Sequence, residues 1–356
     1  MALVKACVVF CTIRPSKSFA LYAKNFLEFG HKPDIMIVDE EGNTRKHVLD
    51  ALSGLDVEFY GTRERKEWFR TKNVDSSIVP VRSTDVIGFS LLMAYPREYD
   101  MMVFLDDDTH PLEGYDFLGE HWDNLNYRKL RVISSSNKWV NPHPRKYPRG
   151  YPYSLRNSDL YREEEYKIGS ILNMGLWEKI PDLNALDYLF YGSLEGRYED
   201  LSHIPLVSHI LCRGNYMPLS RMNVGFLPKI IPAFYQCAGK EYGGGRYGDV
   251  FSGLFLEKIS SHLGDNISFG QPICIHDKEP RDVFGDIKSE IENIKLNEEL
   301  WMMLDKIELS GNSYSFCYEE LADGLLGNKN ESIFSDYIAY LAKKMKEWVK
   351  ITEELE

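Results

Sequence analysis

What this chain of 356 residues lacks narrows it first. No apolar run approaches the ~18–20 residues that span a bilayer, so no membrane span is expected. Basic charge is short: 42 Lys and Arg stand against 54 Asp and Glu, a net charge of −12. Such a chain lacks the sequence-independent pull on phosphate backbones, which excludes nucleic acid and anionic membrane as general partners. Cysteine is scarce, six residues without C-x-x-C spacing and mostly in apolar surroundings. Free thiols in a reducing, cytoplasmic setting follow. The sequons at Asn266 and Asn330 would then go unused. A basic leader is missing too: the apolar stretch from Met1 to Cys11 runs into Thr12-Ile13-Arg14-Pro15 and reads as a first strand. Repeats and low-complexity tracts are absent.

One motif is present in letters only. Gly243-Gly-Gly245-Arg-Tyr-Gly248 satisfies G-x-G-x-x-G, but Cys237-Ala-Gly-Lys-Glu-Tyr242 before it is no strand. A dinucleotide fingerprint needs one, so neither flavin nor NAD is expected.

What is there suffices for a full core: 44% hydrophobic and 27% charged residues. Short apolar strands alternate with helical stretches over the first ~110 residues. Strands are expected at Val4–Cys11, Ile35–Val38, Val57–Tyr60 and Met101–Leu105, with helices at Ser18–Phe29 and Asp85–Tyr95. This alternation predicts an α/β fold with a mostly parallel central sheet and ligands at the carboxyl ends of its strands. Between Trp139 and Pro152, four prolines alternate with His143, Arg145, Lys146 and Arg149, a stiff basic extended segment. Beyond ~285 the pattern turns helical, at Ile287–Leu296, Asn297–Ile307 and Ser335–Glu356. The chain divides into an α/β region, 1–285, and a C-terminal helical appendage, 286–356.

The sharpest signal is Met101-Met-Val-Phe-Leu-Asp106-Asp107-Asp108-Thr-His-Pro111, a hydrophobic strand ending in three carboxylates. Like charges in succession raise each other's pKa unless a cation neutralises them. Side chains of extended chain alternate, so Asp106 and Asp108 share a side and can share an ion. Oxygen ligands suit a hard divalent metal, Mg²⁺ or Mn²⁺, bridging to substrate phosphates. This Asp-x-Asp strand end marks the GT-A nucleotide-sugar fold, and His276, closing Gln271-Pro-Ile-Cys-Ile-His276, is the candidate third ligand.

These segments together resemble one family, the reversibly glycosylated polypeptides or UDP-arabinopyranose mutases. The colinear pieces are Thr12-Ile-Arg14, Asp106-Asp107-Asp108, Arg149-Gly-Tyr-Pro-Tyr-Ser-Leu-Arg156, Gly175-Leu-Trp177, Ile180-Pro-Asp182, Met222-Asn223-Val-Gly-Phe226, Gly245-Arg-Tyr-Gly-Asp249 and Cys317-Tyr-Glu-Glu-Leu321. The resemblance implies a GT-A-like, metal-dependent protein that interconverts pyranose and furanose forms of a UDP-sugar. It also implies self-glycosylation on the matching arginine, Arg156. Asp249 matches the second acid of an Asp-Asp pair whose first place Gly248 takes. Glu163-Glu-Glu165 falls in an extended connection that plant members lack.

The expected roles follow. Arg14 and Arg82 neutralise phosphate oxygens. Asp39 or Glu40 meets uridine, and Asp107 and Asn223 are further substrate contacts. Trp177 and Tyr153 stack on the sugar. Arg156 is cationic and a poor nucleophile unless a carboxylate takes its proton, with Asp249 the first candidate and Asp108 the second; the competing role is a diphosphate clamp. Two rival functions stay open, a retaining glycosyltransferase with an external acceptor and a non-catalytic nucleotide-binding partner subunit. A homo-oligomer is compatible with the chain.

Overall fold

The computed structural model describes residues 4–40, 43–158, 160–237 and 246–356. Strands β1 (Ala6–Thr12), β2 (Asp34–Asp39), β3 (Val57–Tyr60) and β4 (Met101–Asp106) follow the four apolar runs. They lie parallel in the order β3-β2-β1-β4. Between them run α1 (Ser18–Glu28), α2 (Arg45–Ala51), α3 (Thr62–Lys72) and α4 (Gly88–Ala94). Residues Cys7 to Phe10 have no exposed surface, as a strand covered on both faces requires. The helix expected at Asp85–Tyr95 begins as a 3-10 turn, Thr84–Ile87, and only then becomes α4.

Beyond β4 the sheet continues through β5 (Thr109–Pro111), β6 (Lys129–Ser135), β7 (Tyr161–Ile168), β8 (Leu172–Lys179), β9 (His209–Leu211), β10 (Asn223–Phe226) and β11 (Ile267–His276). Here it is mixed: β10 enters antiparallel between β4 and β8, while β8 and β11 run parallel. Glu163-Glu-Glu165 lies in β7, an exposed edge strand paired with β6. The architecture is α/β, parallel from β1 to β4 and mixed beyond.

The remaining helices are α5 (Phe117–Asn126), α6 (Ala185–Phe190), α7 (Gly248–Leu263), α8 (Val283–Lys306), α9 (Tyr314–Asn328) and α10 (Ser335–Leu355). The two helices expected over 287–307 are one, α8. Asn297, which looks like a break, is buried and donates through Nδ2 to the Gly150 carbonyl at 2.7 Å. The C-terminal helices share one core with the sheet, and Trp348 Nε1 on α10 donates to the Ile231 carbonyl at 2.8 Å.

All six cysteines are free thiols. Among the described residues no helix is long and apolar enough to cross a membrane. Positions 243–245 of the glycine-rich run lie outside the described residues, whereas Gly248 opens α7.

Candidate functional site

Parallel pairing of β1 with β4 sets Cys11 opposite Asp106, so Thr12-Ile-Arg14 and the three aspartates leave the sheet at one edge. Asp107 turns toward β1. It accepts from Thr12 Oγ1 at 2.7 Å and from Arg14 Nη2 at 3.0 Å, and the same Arg14 nitrogen reaches Asp108 at 3.3 Å. With its carboxylate so engaged, Asp107 holds Arg14 in place. The end of β11 is pinned beside this turn by Asp277 N, which donates to the Asp108 carbonyl at 2.7 Å.

His276 is buried, and its Nε2 stands 3.7 Å from Asp108 Oδ1. Its Nδ1 lies 2.7 Å from the Ile180 carbonyl, an acceptor, so Nδ1 carries a hydrogen and the ring is oriented with Nε2 toward Asp108. The Asp106 carboxyl is pushed up to about 8 by burial first and by Asp108 next, against the opposing pull of Arg221. Asp106 therefore sits where a cation would relieve it, and Asp108 with His276 supplies an oxygen and a nitrogen donor. This donor chemistry fits a divalent ion completed by substrate oxygens. Among the described residues no group of three or more His, Cys, Asp and Glu side chains is arranged so that it could hold a metal ion by itself.

The facing wall is made by the proline-rich segment and the N-terminal ends of α6, α7 and α8. Gly150 has φ +97°, and a Cβ there would come 2.7 Å from Val250 of α7, so glycine lets the segment lie against that helix. Arg149 is thereby placed between two buried carboxylates, Asp182 at 3.0 Å and Asp249 at 2.8 Å. Against the opposing effect of burial, Arg149 holds Asp249 down at about 2. Next to it, a Cβ at Gly248 would collide with the Asp85 carboxylate and the Cys237 carbonyl. Asp85 in turn accepts from the buried Arg221 at 3.2 Å.

Arg156 has a different partner from those expected. Both terminal nitrogens donate to the Asp187 carboxylate, each at 2.8 Å. Its guanidinium lies 3.7 Å from the centre of the Tyr153 ring and 5.1 Å from that of Tyr147. Burial opposes its charge, but the hydrogen bonds and charge of Asp187 prevail and its pKa rises. Asn184 Nδ2 at 2.8 Å and Tyr153 Oη at 3.1 Å complete the setting of Asp187.

Several expectations are corrected. Asp249 is bound in both oxygens by Arg149, so it is no base for Arg156. Trp177 is 1% exposed, packed in the core with neither ring face open to a sugar. Tyr153 has the Arg156 guanidinium on its ring. Asn223 is fully buried and serves the backbone, donating to the carbonyls of Leu176 and Pro272 and pairing through Oδ1 with His121. Asp39 is also fully buried; it accepts from Thr44 N at 3.2 Å and from the Thr44 hydroxyl, closing the turn after β2. Its neighbour Glu40 pairs with the buried Arg65. Arg82 stays exposed at φ +56°, its N–H donating to Glu40.

Two residues escaped the sequence reading. Arg221 directly precedes Met222-Asn-Val-Gly-Phe226, a position that could have drawn notice. Asp187 has no local signature.

Among relatives, the chain is 24% identical over 322 residues to probable UDP-arabinopyranose mutase 5 of Arabidopsis thaliana, covering 86% of this chain and 84% of that protein. Glucosyl-3-phosphoglycerate synthase from Mycobacterium tuberculosis, solved with Mn²⁺, UDP and phosphoglyceric acid, aligns with TM-score 0.41 and 14% identity over 86% of this chain and 81% of that one. Its complex with Mg²⁺ and UDP gives 0.39 and 13% over 83% and 79%. Likeness at that level is too distant to transfer a residue role. The profile of the reversibly glycosylated polypeptides matches residues 5–356, and the chain belongs to that family.

Proposed function

We propose that the chain is a UDP-sugar mutase that exchanges pyranose and furanose forms at the strand-end site. The observation that carries this reading is the facing of Asp108 and His276 beside an under-neutralised Asp106, in a chain whose 24%-identical relative is named a probable UDP-arabinopyranose mutase. Asp106, Asp108 and His276 would hold the divalent metal, which supplies charge neutralisation for the departing diphosphate. Arg14, set by Asp107, offers its guanidinium to the same phosphate oxygens.

Ring exchange breaks the bond from the anomeric carbon to the diphosphate oxygen and re-forms it after a different sugar hydroxyl has closed the ring. The chain must hold both fragments in between and exclude water from the anomeric carbon. Arg156 is a cation in this arrangement, fixed by Asp187 and two tyrosine rings, and suits the clamp role. Glycosylation of Arg156 itself would require Asp187 to take the proton from the attacking nitrogen, since that carboxylate is the one in contact.

Incubation with UDP-arabinopyranose and Mn²⁺, followed by chromatography of the nucleotide sugars, should yield UDP-arabinofuranose and stop on chelation. Hydrolysis alone until an acceptor is added would replace the mutase reading by a glycosyltransferase. Intact mass after the incubation separates the two roles of Arg156, because a clamp leaves no adduct.

A further inference from the structure

A cleft of about 540 Å³ opens between α3, the 75–81 loop and α10. None of its lining residues belongs to the strand-end site, and its charge runs against the net −12 of the chain. Arg65 and Lys66 enter from α3, Lys343 and Lys344 from α10. Three carboxylates answer these four cations. Glu40 takes Arg65, Glu347 is shared by Lys343 and Lys344, and Asp75 stands 3.9 Å from Lys344. Lys66 makes no ion pair among the described residues.

Two of the four cations are buried, while Lys66 and Lys343 stand exposed at the rim. Lys344 is 5% exposed, and its ammonium donates to Ser77 Oγ at 2.8 Å. Arg65 is 3% exposed and anchored on the Asp39 and Tyr60 carbonyls at 2.8 and 2.9 Å. The Ser76 hydroxyl adds a donor, the Thr62 hydroxyl being spent on the Glu40 carbonyl, while Phe69, Val79 and Pro80 make an apolar side. A phosphate dianion answers clustered ammonium and hydroxyl donors. The volume lies in the range of organic ligands, and the apolar side asks for a carbon body as well.

We propose that this cleft binds a small organic phosphomonoester, its phosphate held by Lys66, Lys343 and Lys344 and its body against Phe69 and Pro80. Arg65 forms the floor and links the cleft to Glu40 at the end of β2.

Titration calorimetry with phenyl phosphate and with inorganic phosphate tests this on the wild type, on a Lys66→Ala/Lys343→Ala double variant, and on Arg14→Ala. Phenyl phosphate should bind the wild type about ten-fold more tightly than inorganic phosphate. The double variant should lose about ten-fold or more, whereas Arg14→Ala should stay within about two-fold. No binding of phenyl phosphate, equal affinity for the two anions, or an unaffected double variant would overturn the proposal. A loss confined to Arg14→Ala would assign the signal to the strand ends and overturn it equally. No turnover is measured, so this test stands or falls apart from the mutase reading.

Discussion

Asp106 and Asp249 lie within electrostatic reach of each other, yet their carboxyls are driven in opposite directions. Both are buried against the same interior. Asp249 has Arg149 on both oxygens; Asp106 has Asp108 beside it and only a distant pull from Arg221. The difference teaches which wall of the site is finished and which awaits a charge. On the Arg149 wall both carboxylates share a guanidinium that holds them ionised, whereas the aspartate turn is electrostatically incomplete.

The comparison is broken most severely from the finished side. Arg149→Ala leaves Asp182 and Asp249 buried without their cation, and should cost about 3–5 kcal/mol in denaturant unfolding. On the unfinished side, Asp108→Asn should lower kcat by about 10²–10³-fold while the melting curve barely moves. His276→Ala should lower kcat similarly and also cost about 1–3 kcal/mol, its ring being buried on the Ile180 carbonyl. Asp187→Asn, which frees the guanidinium of Arg156 from its charged partner, should lower kcat by about ten-fold, with Arg156→Lys no better.

Acidity sharpens the same contrast. Below pH 8 the Asp106 carboxyl holds its proton, so a divalent ion must displace it. Mn²⁺ affinity, followed by electron paramagnetic resonance, should rise with pH by up to about ten-fold per unit and flatten above pH 8. The sign for stability is the reverse. An acid whose pKa is raised in the folded state costs stability as pH climbs from its unfolded value toward 8. Asp106→Asn should therefore raise the melting temperature of metal-free protein at pH 8, by about 1–3 °C, although it removes a proposed ligand.

Local pattern was enough for the first four strands, because β1, β2 and β4 are short apolar runs covered on both faces and β3, at the sheet edge, keeps Val57, Phe59 and Tyr60 bounded by turns. The aspartate turn was legible for a related reason: three consecutive carboxylates at a strand end are costly and therefore conspicuous. Asp187 was not legible. It lies 31 positions from Arg156, in the first turn of the short helix α6, and only packing of that helix brings the two together. Asn223 and Trp177 were misread for the opposite reason. They belong to a recognisable motif, but what surrounds them is the protein's own interior rather than a ligand. The break expected near Asn297 failed likewise, since its amide is used by Gly150, 147 positions away.

The placing of α10 has a consequence for how the molecule comes into being. Lys344 reaches back to Ser77, and Trp348 to Ile231, contacts that close loops of 267 and 117 residues. While the chain is being made, the N-terminal strands emerge long before α10, which packs on α9 and on the short turns at 76–78, 95–97 and 228–233. Until α10 is made, the side of the molecule it packs on is open to water and to other nascent chains. The aspartate turn sits on those early strands, so an aggregation-prone interval precedes the appearance of any working site.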